Sequence, residues 1–292
     1  MTTDIESGTV FHQGCSLAYR VRGTGDPVLL IQGTGLHGDG WRPQVEALTG
    51  EYQCVTFDNR GMGASRPLTK PLTVAQMAED ALAVLDACGL DSAHVVGHSL
   101  GGLIALRLAL TAPRRVRSLS LLCTFADGGA VTRPTPWMVW IGLRLRIGPR
   151  RARRRAFLEM IATPEQLAAL DRDRWAEELA PLFGHDLGHQ PPAVMNQLRA
   201  MGAVDQTPRL GELAGIPTLV SSAGQDRIAP PRLGRALAAG IPAARFVELP
   251  GAAHGVPITE PGRVNRLLQE HLAAVARSRP EGPTGPATKP GA

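Results

Sequence analysis

Ser99 stands in the pentapeptide Gly97-His98-Ser99-Leu100-Gly101, with glycines two positions before and two positions after it. Residues 93–96 read Ala-His-Val-Val, a short apolar run typical of a buried strand. Residues 102–110 consist mostly of strong helix formers. A serine on a sharp turn from a strand to a helix projects its hydroxyl at the positive end of the helix. We therefore interpret Ser99 as a candidate nucleophile.

A serine hydroxyl is a weak nucleophile unless a base accepts its proton and an acid orients that base. Two polar loops in the last third of the chain offer both residue types. Asp226 follows a strand predicted at 217–222, and His254 follows a strand predicted at 244–249. Like Ser99, each stands just beyond a strand, so the three residues are candidates for a Ser-His-Asp triad.

Four motifs together resemble the α/β-hydrolase fold superfamily, in particular its group of esterases, lipases and cofactor-free perhydrolases. They are the segments 97–101, 57–65 and 224–226, and the single residue His254. The resemblance covers about residues 8–132 and 205–277. It implies a nucleophile at Ser99, an acid at Asp226 and a base at His254, in the chain order of that family.

A second carboxylate competes for the role of the acid. Asp127 follows the strand predicted at 116–123, and some members of the superfamily take their acid from that position. Asp226 has the stronger local context, because Gly224 precedes it and a helix opens after it at 230–231. We favour Asp226 and keep Asp127 as the alternative.

Acyl transfer also requires N–H donors for the oxyanion that develops on the substrate. The residue after the nucleophile, Leu100, would supply one donor. The other would come from the loop after the strand at 27–31, where most relatives begin with His-Gly. Gln32 replaces that histidine here, and Thr34 is the matching donor. The glycines of this loop match neither the dinucleotide fingerprint nor the P-loop, so a phosphate cradle is disfavoured.

One pattern resembles a metal site. His185 and His189 are four residues apart, as in helical zinc motifs. Nearby glycines and prolines argue against a continuous helix, and no third ligand is apparent in the sequence. We therefore predict no metal and no cofactor. A further histidine, His98, is expected to pack beneath the turn rather than to act as the base.

Composition is typical of a globular enzyme: the chain has 292 residues, of which 43% are hydrophobic and 20% charged. No apolar run approaches the roughly 18 to 20 residues of a membrane span. The first eight residues are polar and acidic, which predicts that no signal peptide is present. Four widely spaced cysteines, at positions 15, 54, 88 and 123, indicate small buried side chains in a reducing compartment. We therefore expect a cytoplasmic protein.

Eight strands are predicted, at 8–12, 16–22, 27–32, 52–57, 93–98, 116–123, 217–222 and 244–249. The first two read as an antiparallel hairpin, and the others alternate with helices. This pattern predicts an α/β fold with a mostly parallel eight-stranded sheet covered by helices on both faces. One of these helices should begin with a capping box at Thr73 and Gln76.

The alternation of strands and helices breaks after the sixth core strand. We predict an α/β-hydrolase core at 1–132 and 204–277, a helical cap at 133–203, and a disordered tail rich in Pro and Gly at 278–292. The cap is rich in tryptophan and methionine, which suit an apolar pocket. The residues expected to contact substrate are Trp137, Met138, Trp140 and Met195.

Seven arginines between Arg144 and Arg155 contribute much of the net charge of +5. Such a run could contact nucleic acid or an anionic membrane, or guide an anionic substrate such as an acyl carrier or coenzyme A thioester. A solvated helix face is the interpretation that we favour. No nucleic-acid-binding motif accompanies the arginines.

The residues together predict a serine hydrolase that cleaves a carboxylic ester, thioester or lactone of a hydrophobic small molecule. Two alternatives stay open. One is a tailoring enzyme of natural-product synthesis that uses the same triad for elimination or acyl transfer. The other, from a different class, is a ligand receptor without catalytic activity, because fold alone never fixes function.

Overall fold

The structure is a computed structural model and describes residues 5–68 and 72–278. Its strands are β1 Glu6–His12, β2 Cys15–Arg22, β3 Asp26–Ile31, β4 Tyr52–Phe57, β5 Ala93–His98, β6 Val116–Leu122, β7 Thr218–Ala223 and β8 Arg245–Leu249. They form a single sheet in the order β1-β2-β4-β3-β5-β6-β7-β8. β2 runs antiparallel to β1 and β4, and all other neighbours are parallel. The predicted hairpin and mostly parallel sheet are confirmed.

The helices between β3 and β6 are α1 Arg42–Leu48, α2 Val74–Ala87 and α3 Leu100–Thr111. Those between β6 and β7 are α4 Gly128–Thr132, α5 Pro136–Arg144, α6 Arg150–Ile161, α7 Pro164–Ala169, α8 Arg172–Phe183 and α9 Val194–Gly202. The last helices are α10 Pro231–Gly240, α11 Val256–Thr259 and α12 Pro261–Ser278. Short 3-10 turns connect several of these elements.

Strand β3 shows how the sheet separates two hydrophobic cores. Leu29 and Ile31 pack with residues of α2, α3 and α10 on one face. Val28 and Leu30 pack with α1 and α12 on the other. Side chains alternate along a strand, so a fully buried strand needs apolar residues at every position. Each such burial contributes about 1.5–3 kcal/mol, and the sheet therefore holds the loops at its ends rigidly.

The capping box predicted at the start of α2 forms only in part. Thr73 Oγ1 accepts the backbone N–H of Gln76 at 3.0 Å, as expected of an N-cap. The side chain of Gln76 donates to Gln13 Oε1, at 3.1 Å, instead of returning to Thr73. The contact with the β1–β2 hairpin therefore replaces the second half of the box.

Helices α5 to α9 and their connections (residues 136–202) are called the helical insertion below. They carry a hydrophobic cluster of their own, which includes Phe157, Leu158 and Phe183. Leu36, from the loop after β3, and Ile258, from α11, join this cluster. The insertion therefore packs over the edge of the sheet at which the parallel strands end. The predicted tail lies outside the described residues, apart from Ser278 at the end of α12.

Among the described residues, no helix is both long and apolar enough to cross a membrane. All four cysteines are free thiols. Burial raises the pKa of the Cys54 thiol to about 12 and that of the Cys88 thiol to about 11. These thiols are therefore protonated and unreactive at neutral pH.

Candidate active site

Ser99 occupies the turn between β5, which ends at His98, and α3, which begins at Leu100. Its backbone has φ 55° and ψ −119°, a strained conformation for a residue with a side chain. The flanking glycines are required by crowding. A Cβ on Gly97 would lie 2.4 Å from the carbonyl oxygen of Gly101, and one on Gly101 would lie 2.0 Å from that of Ile31. The turn can therefore form only with glycine at both positions.

His254 and Asp226 form a hydrogen-bonded pair at the same edge of the sheet. Asp226 follows β7 and His254 follows β8, and their Oδ2 and Nδ1 atoms are 2.7 Å apart. The other carboxylate oxygen of Asp226 accepts the N–H groups of Ile228 and Ala229, both at 2.8 Å. Both side chains are buried. The carboxylate is therefore fixed by the backbone and orients the imidazole of His254.

Asp127 has a different role in this structure. Its side chain accepts the backbone N–H of Gly129 at 2.8 Å and caps the short helix α4. His254 receives its carboxylate partner from Asp226, after β7, and not from Asp127, after β6. Of the two candidates that the sequence left open, the structure brings only Asp226 to the histidine.

His98 lies beneath the turn, as expected, and also contacts His254. Its Nε2 donates to the backbone carbonyl of His254 at 3.0 Å, and the two rings are 5.0 Å apart. Complete burial, together with the charge of His254, lowers the pKa of His98 to about 3. His98 is therefore neutral at physiological pH, and its N–H positions the segment that carries His254.

Several N–H groups of the loop after β3 have acceptors within the described residues, but that of Thr34 does not. Gly33 donates to Gln32 Oε1 at 2.9 Å, Gly35 to Gln197 Oε1 at 2.9 Å, and Leu36 to the carbonyl of Gly33 at 3.4 Å. Within the described part of the chain, the N–H of Thr34 has no hydrogen-bond acceptor. Leu100 opens α3, and the first N–H groups of a helix have no acceptor inside it. Both predicted oxyanion donors are therefore free to bind an anion.

Two residues of the helical insertion hold this loop, and neither was predicted from the sequence to contact it. Gln197 accepts the N–H of Gly35, and His185 Nε2 lies 2.9 Å from the carbonyl oxygen of Gly35. Both partners are at least 150 residues away from Gly35 along the chain. No local pattern in the sequence could have revealed these contacts.

A cavity of about 810 Å³ joins these elements. Ser99, His254 and Thr34 line it, together with Met138 and Met195 of the helical insertion. Its wall is mostly apolar and includes Phe125, Ile141, Leu145, Phe157, Met160 and Phe183. This size and character are typical of sites for small organic ligands.

The two tryptophans expected to contact substrate are placed differently. Trp137 lines the cavity that contains Ser99 and also a neighbouring cavity of about 580 Å³. Trp140 lines only the neighbouring cavity. The guanidinium of Arg227 stacks on Trp137 at 4.3 Å and that of Arg144 on Trp140 at 4.3 Å. Trp137 therefore forms part of the wall between the two cavities.

The histidine pattern at 185 and 189 does not assemble ligands. His185 contacts backbone carbonyls through both ring nitrogens, and His189 is exposed. Within residues 5–68 and 72–278, no group of three or more His, Cys, Asp or Glu side chains could hold a metal ion.

Most arginines of the basic run are engaged in ion pairs. Each pair is formed with a carboxylate of the helical insertion: Arg144 with Glu159, Arg150 with Asp186, Arg151 with Asp173, Arg154 with Asp186 and Glu177, and Arg155 with Asp173. Hydrogen bonds from Arg155 and Arg151 hold the pKa of Asp173 well below its usual range, and those from Arg150 and Arg154 do the same for Asp186. The run therefore connects α6 to α8 and to the segment after α8.

Comparison with known proteins agrees with this geometry. A sequence model of the family described as alpha/beta hydrolase fold matches residues 26–261. A candidate carbamate hydrolase, RutD of Azorhizobium caulinodans, is 36% identical over 86% of this chain and 93% of its own length. The enol-lactonase of Burkholderia xenovorans LB400 is 27% identical, with a TM-score of 0.77 over 91% of this chain and 100% of that chain. An esterase of Thermogutta terrifontis is 26% identical, with a TM-score of 0.76 over 92% and 99% of the two chains. The chain therefore belongs to the α/β-hydrolase fold family, and it is an enzyme.

Proposed function

We propose that the protein is a serine hydrolase that cleaves a carboxylic ester, or a related thioester or lactone, through an acyl-enzyme. One observation carries the proposal. Ser99, on its strained turn, and His254, paired with Asp226 at 2.7 Å, line the same cavity. The requirements of nucleophilic acyl transfer are a serine, a base and a fixed acid around a space for substrate.

In the proposed reaction, Ser99 Oγ attacks the acyl carbon while His254 Nε2 accepts the hydroxyl proton. The acyl oxygen becomes an oxyanion and accepts the N–H groups of Thr34 and Leu100. Asp226 stabilises the imidazolium and keeps Nδ1 protonated. Collapse of the intermediate breaks the bond to the leaving group, and His254 returns the proton to that group.

Water completes the reaction. His254 removes a proton from a water molecule, whose oxygen attacks the acyl carbon of the acyl-enzyme. The second oxyanion occupies the same two donors, and its collapse releases the acid product. Ser99 Oγ recovers its proton from His254. The step consumes one water and requires no metal or cofactor.

The helical insertion supports the substrate class of this proposal. Its Met138 and Met195 face the cavity together with the nucleophile, and the wall is mostly apolar. We propose that the predicted cap at 133–203 binds the hydrophobic part of the substrate, while the core at 1–132 and 204–277 performs the chemistry. The names of the relatives, a candidate carbamate hydrolase, an enol-lactonase and an esterase, are consistent with attack on an acyl carbon.

The test uses a fluorophosphonate probe and a panel of p-nitrophenyl esters with the purified protein. The probe should label Ser99, and Ser99→Ala should abolish both labelling and turnover. His254→Ala should cost nearly as much as Ser99→Ala, because triad members act as a unit. A carbamate and a lactone in the same panel distinguish between the acyl bonds.

Other outcomes would favour the alternatives. Labelling at a different serine would overturn the proposal. Binding of hydrophobic ligands without turnover of any acyl substrate would favour a receptor. Labelling of Ser99 without net hydrolysis would favour acyl transfer or elimination by the same triad.

A further inference from the structure

The cavity that contains Ser99 has a pronounced charge asymmetry. Two arginines, Arg146 and Arg199, line it, and no Asp or Glu is found among its described lining residues. Both arginines are exposed, whereas the apolar wall below them is largely buried. Arg146 and Arg199 therefore place positive charge at the mouth of an apolar cavity, and no described acidic side chain of the lining neutralises it.

These two arginines differ from their neighbours in how they are paired. Other arginines of the helical insertion form ion pairs with carboxylates: Arg144, Arg150, Arg151, Arg154, Arg155, Arg172 and Arg174. In the described part of the chain, Arg146 and Arg199 have no carboxylate within ion-pair distance. Arg153 also lacks one, but it does not line the cavity. The unpaired charge of the insertion that faces the cavity is thus confined to these two residues.

Met195 is a neighbour of both arginines, of Arg199 by helical spacing and of Arg146 by a contact of its guanidinium. Arg199 follows Met195 by four residues in α9, so their side chains lie on the same face of the helix. Arg146, two residues beyond the end of α5, has its Nη2 atom 3.1 Å from Met195 Sδ. The Nη1 atom of Arg146 also donates to the backbone carbonyl of Gly142 at 3.3 Å. A guanidinium has five N–H donors and a thioether is a weak acceptor, so N–H groups of Arg146 remain for a stronger acceptor.

We propose that Arg146 and Arg199 bind an anionic group of the substrate, a carboxylate or a phosphate, while the apolar chain of the substrate extends from this group toward Ser99. A guanidinium matches both anions through paired N–H donors. The substrate is thus an amphipathic acyl compound with an anionic end. This inference rests on the proposed function for the position of the reacting bond, and the binding site itself does not depend on it.

The ion-paired arginines of the basic run are not the anion site in this proposal. Arg150, Arg151, Arg154 and Arg155 already share Asp173 and Asp186. An incoming anion would have to displace these carboxylates. Arg146 and Arg199 require no such displacement, and they face the cavity.

The first experiment compares two esters of matched length, monomethyl suberate and methyl octanoate. We measure kcat/KM for each with the wild type, Arg146→Gln, Arg199→Gln and the double variant. The ratio of anionic to neutral ester should fall about tenfold or more in each single variant, because a hydrogen bond to a charged group is lost. Arg114→Gln removes one exposed arginine at the opposite edge of the sheet, before β6, and should leave the ratio unchanged. An unchanged ratio in the double variant would overturn the proposal.

The second experiment separates this site from the hydrolytic chemistry. Binding of monomethyl suberate, octyl phosphate and methyl octanoate to Ser99→Ala is measured by calorimetry at low and high salt. Both anions, or one of them, should bind about tenfold more tightly than the neutral ester, and added salt should weaken only the anions. Arg146→Gln and Arg199→Gln in the Ser99→Ala background should remove this preference. The anion that binds more tightly shows whether the site prefers a carboxylate or a phosphate.

Equal affinity for all three ligands would overturn the anion site, whatever the outcome for hydrolysis. If a preference for anions is found in a protein that cleaves no ester, the anion site stands and the proposed hydrolysis fails. Octanoyl-coenzyme A in the kinetic panel tests whether the anion belongs to the leaving group. If the double variant loses turnover of octanoyl-coenzyme A, the two arginines bind an anionic group of the leaving group.

Discussion

The side-chain oxygen of Gln197, in α9, accepts the backbone N–H of Gly35 at 2.9 Å. Gly35 has φ 78° and follows Thr34, the proposed oxyanion donor. His185 contacts the carbonyl oxygen of the same glycine. The helical insertion therefore does more than line the cavity. It also fixes the N–H and the carbonyl group of Gly35, the residue next to Thr34.

Gln197→Met should test this positioning, because methionine keeps the volume of the side chain and removes the acceptor. We expect kcat to fall about ten- to a hundredfold with little change in KM, since a small displacement of a donor affects the transition state most. Gln269→Met, on α12 at the opposite face of the sheet, is the matched control and should leave kcat unchanged. A rise in KM at constant kcat would instead indicate that Gln197 acts only on binding of the ground state.

The contrast between Ser99 and Gln197 indicates what could be predicted from the sequence. Ser99, Asp226 and His254 each follow a strand that the sequence predicts. β5 and β7 are buried throughout and the edge strand β8 only in part, and the parallel pairing of the three brings their ends to one edge of the sheet. The strands were accordingly predicted to within about two residues. Gln197 and His185 act on a loop that is far away in sequence, and nothing in their local pattern records that partner.

Which arginines form ion pairs could not be predicted from the sequence either, for the same physical reason. Their number and the net charge could be read from the sequence, but their pairing could not. Which arginine meets a carboxylate depends on how α6 packs against α8, as the pairs at Asp173 and Asp186 illustrate. Packing thus pairs most arginines of the basic run with carboxylates. It leaves Arg146 of that run, and Arg199 of α9, at the cavity.

Asp226→Asn should reduce turnover severely while the fold stays intact. The amide can no longer keep Nδ1 of His254 protonated, and this change costs about ten-thousandfold in a well-studied Ser-His-Asp triad. Asp127→Asn should change turnover by less than about twofold, since asparagine also caps helices and Asp127 caps α4. Steady-state kinetics with one ester, together with thermal unfolding of both variants, make the comparison. The opposite ranking would assign the acid to the position after β6.

His98 should make the free energy of unfolding depend on pH. Burial lowers its pKa from the usual 6.5 to about 3, so between these values the unfolded chain binds a proton that the folded protein does not. The free energy of unfolding should therefore fall as the pH falls through this window, by about 1.4 kcal/mol per pH unit from this residue alone. Burial also lowers the pKa values of His37 and His271, which adds to the wild-type slope.

His98→Gln isolates this contribution, because glutamine does not titrate and the other histidines are retained. Denaturant unfolding at pH 4.5, 5.0, 5.5 and 6.0 should give a slope about 1.4 kcal/mol per pH unit shallower than that of the wild type. The same slope in both proteins would mean that His98 takes up a proton in the folded state.

The two tryptophans of α5 should have separable effects on acyl-chain preference. Trp137 lines the cavity with Ser99, whereas Trp140 is half exposed and lines only the neighbouring cavity. Trp137→Ala should change the ratio of kcat/KM between decanoyl and butyryl esters several-fold, since each buried methylene is worth about 0.8 kcal/mol. Met138→Ala should act in the same way, because Met138 shares that cavity. Trp140→Ala is the control and should leave the ratio within about twofold of the wild type. A change as large in Trp140→Ala as in Trp137→Ala would mean that substrate occupies both cavities, and that Trp137 does not separate them.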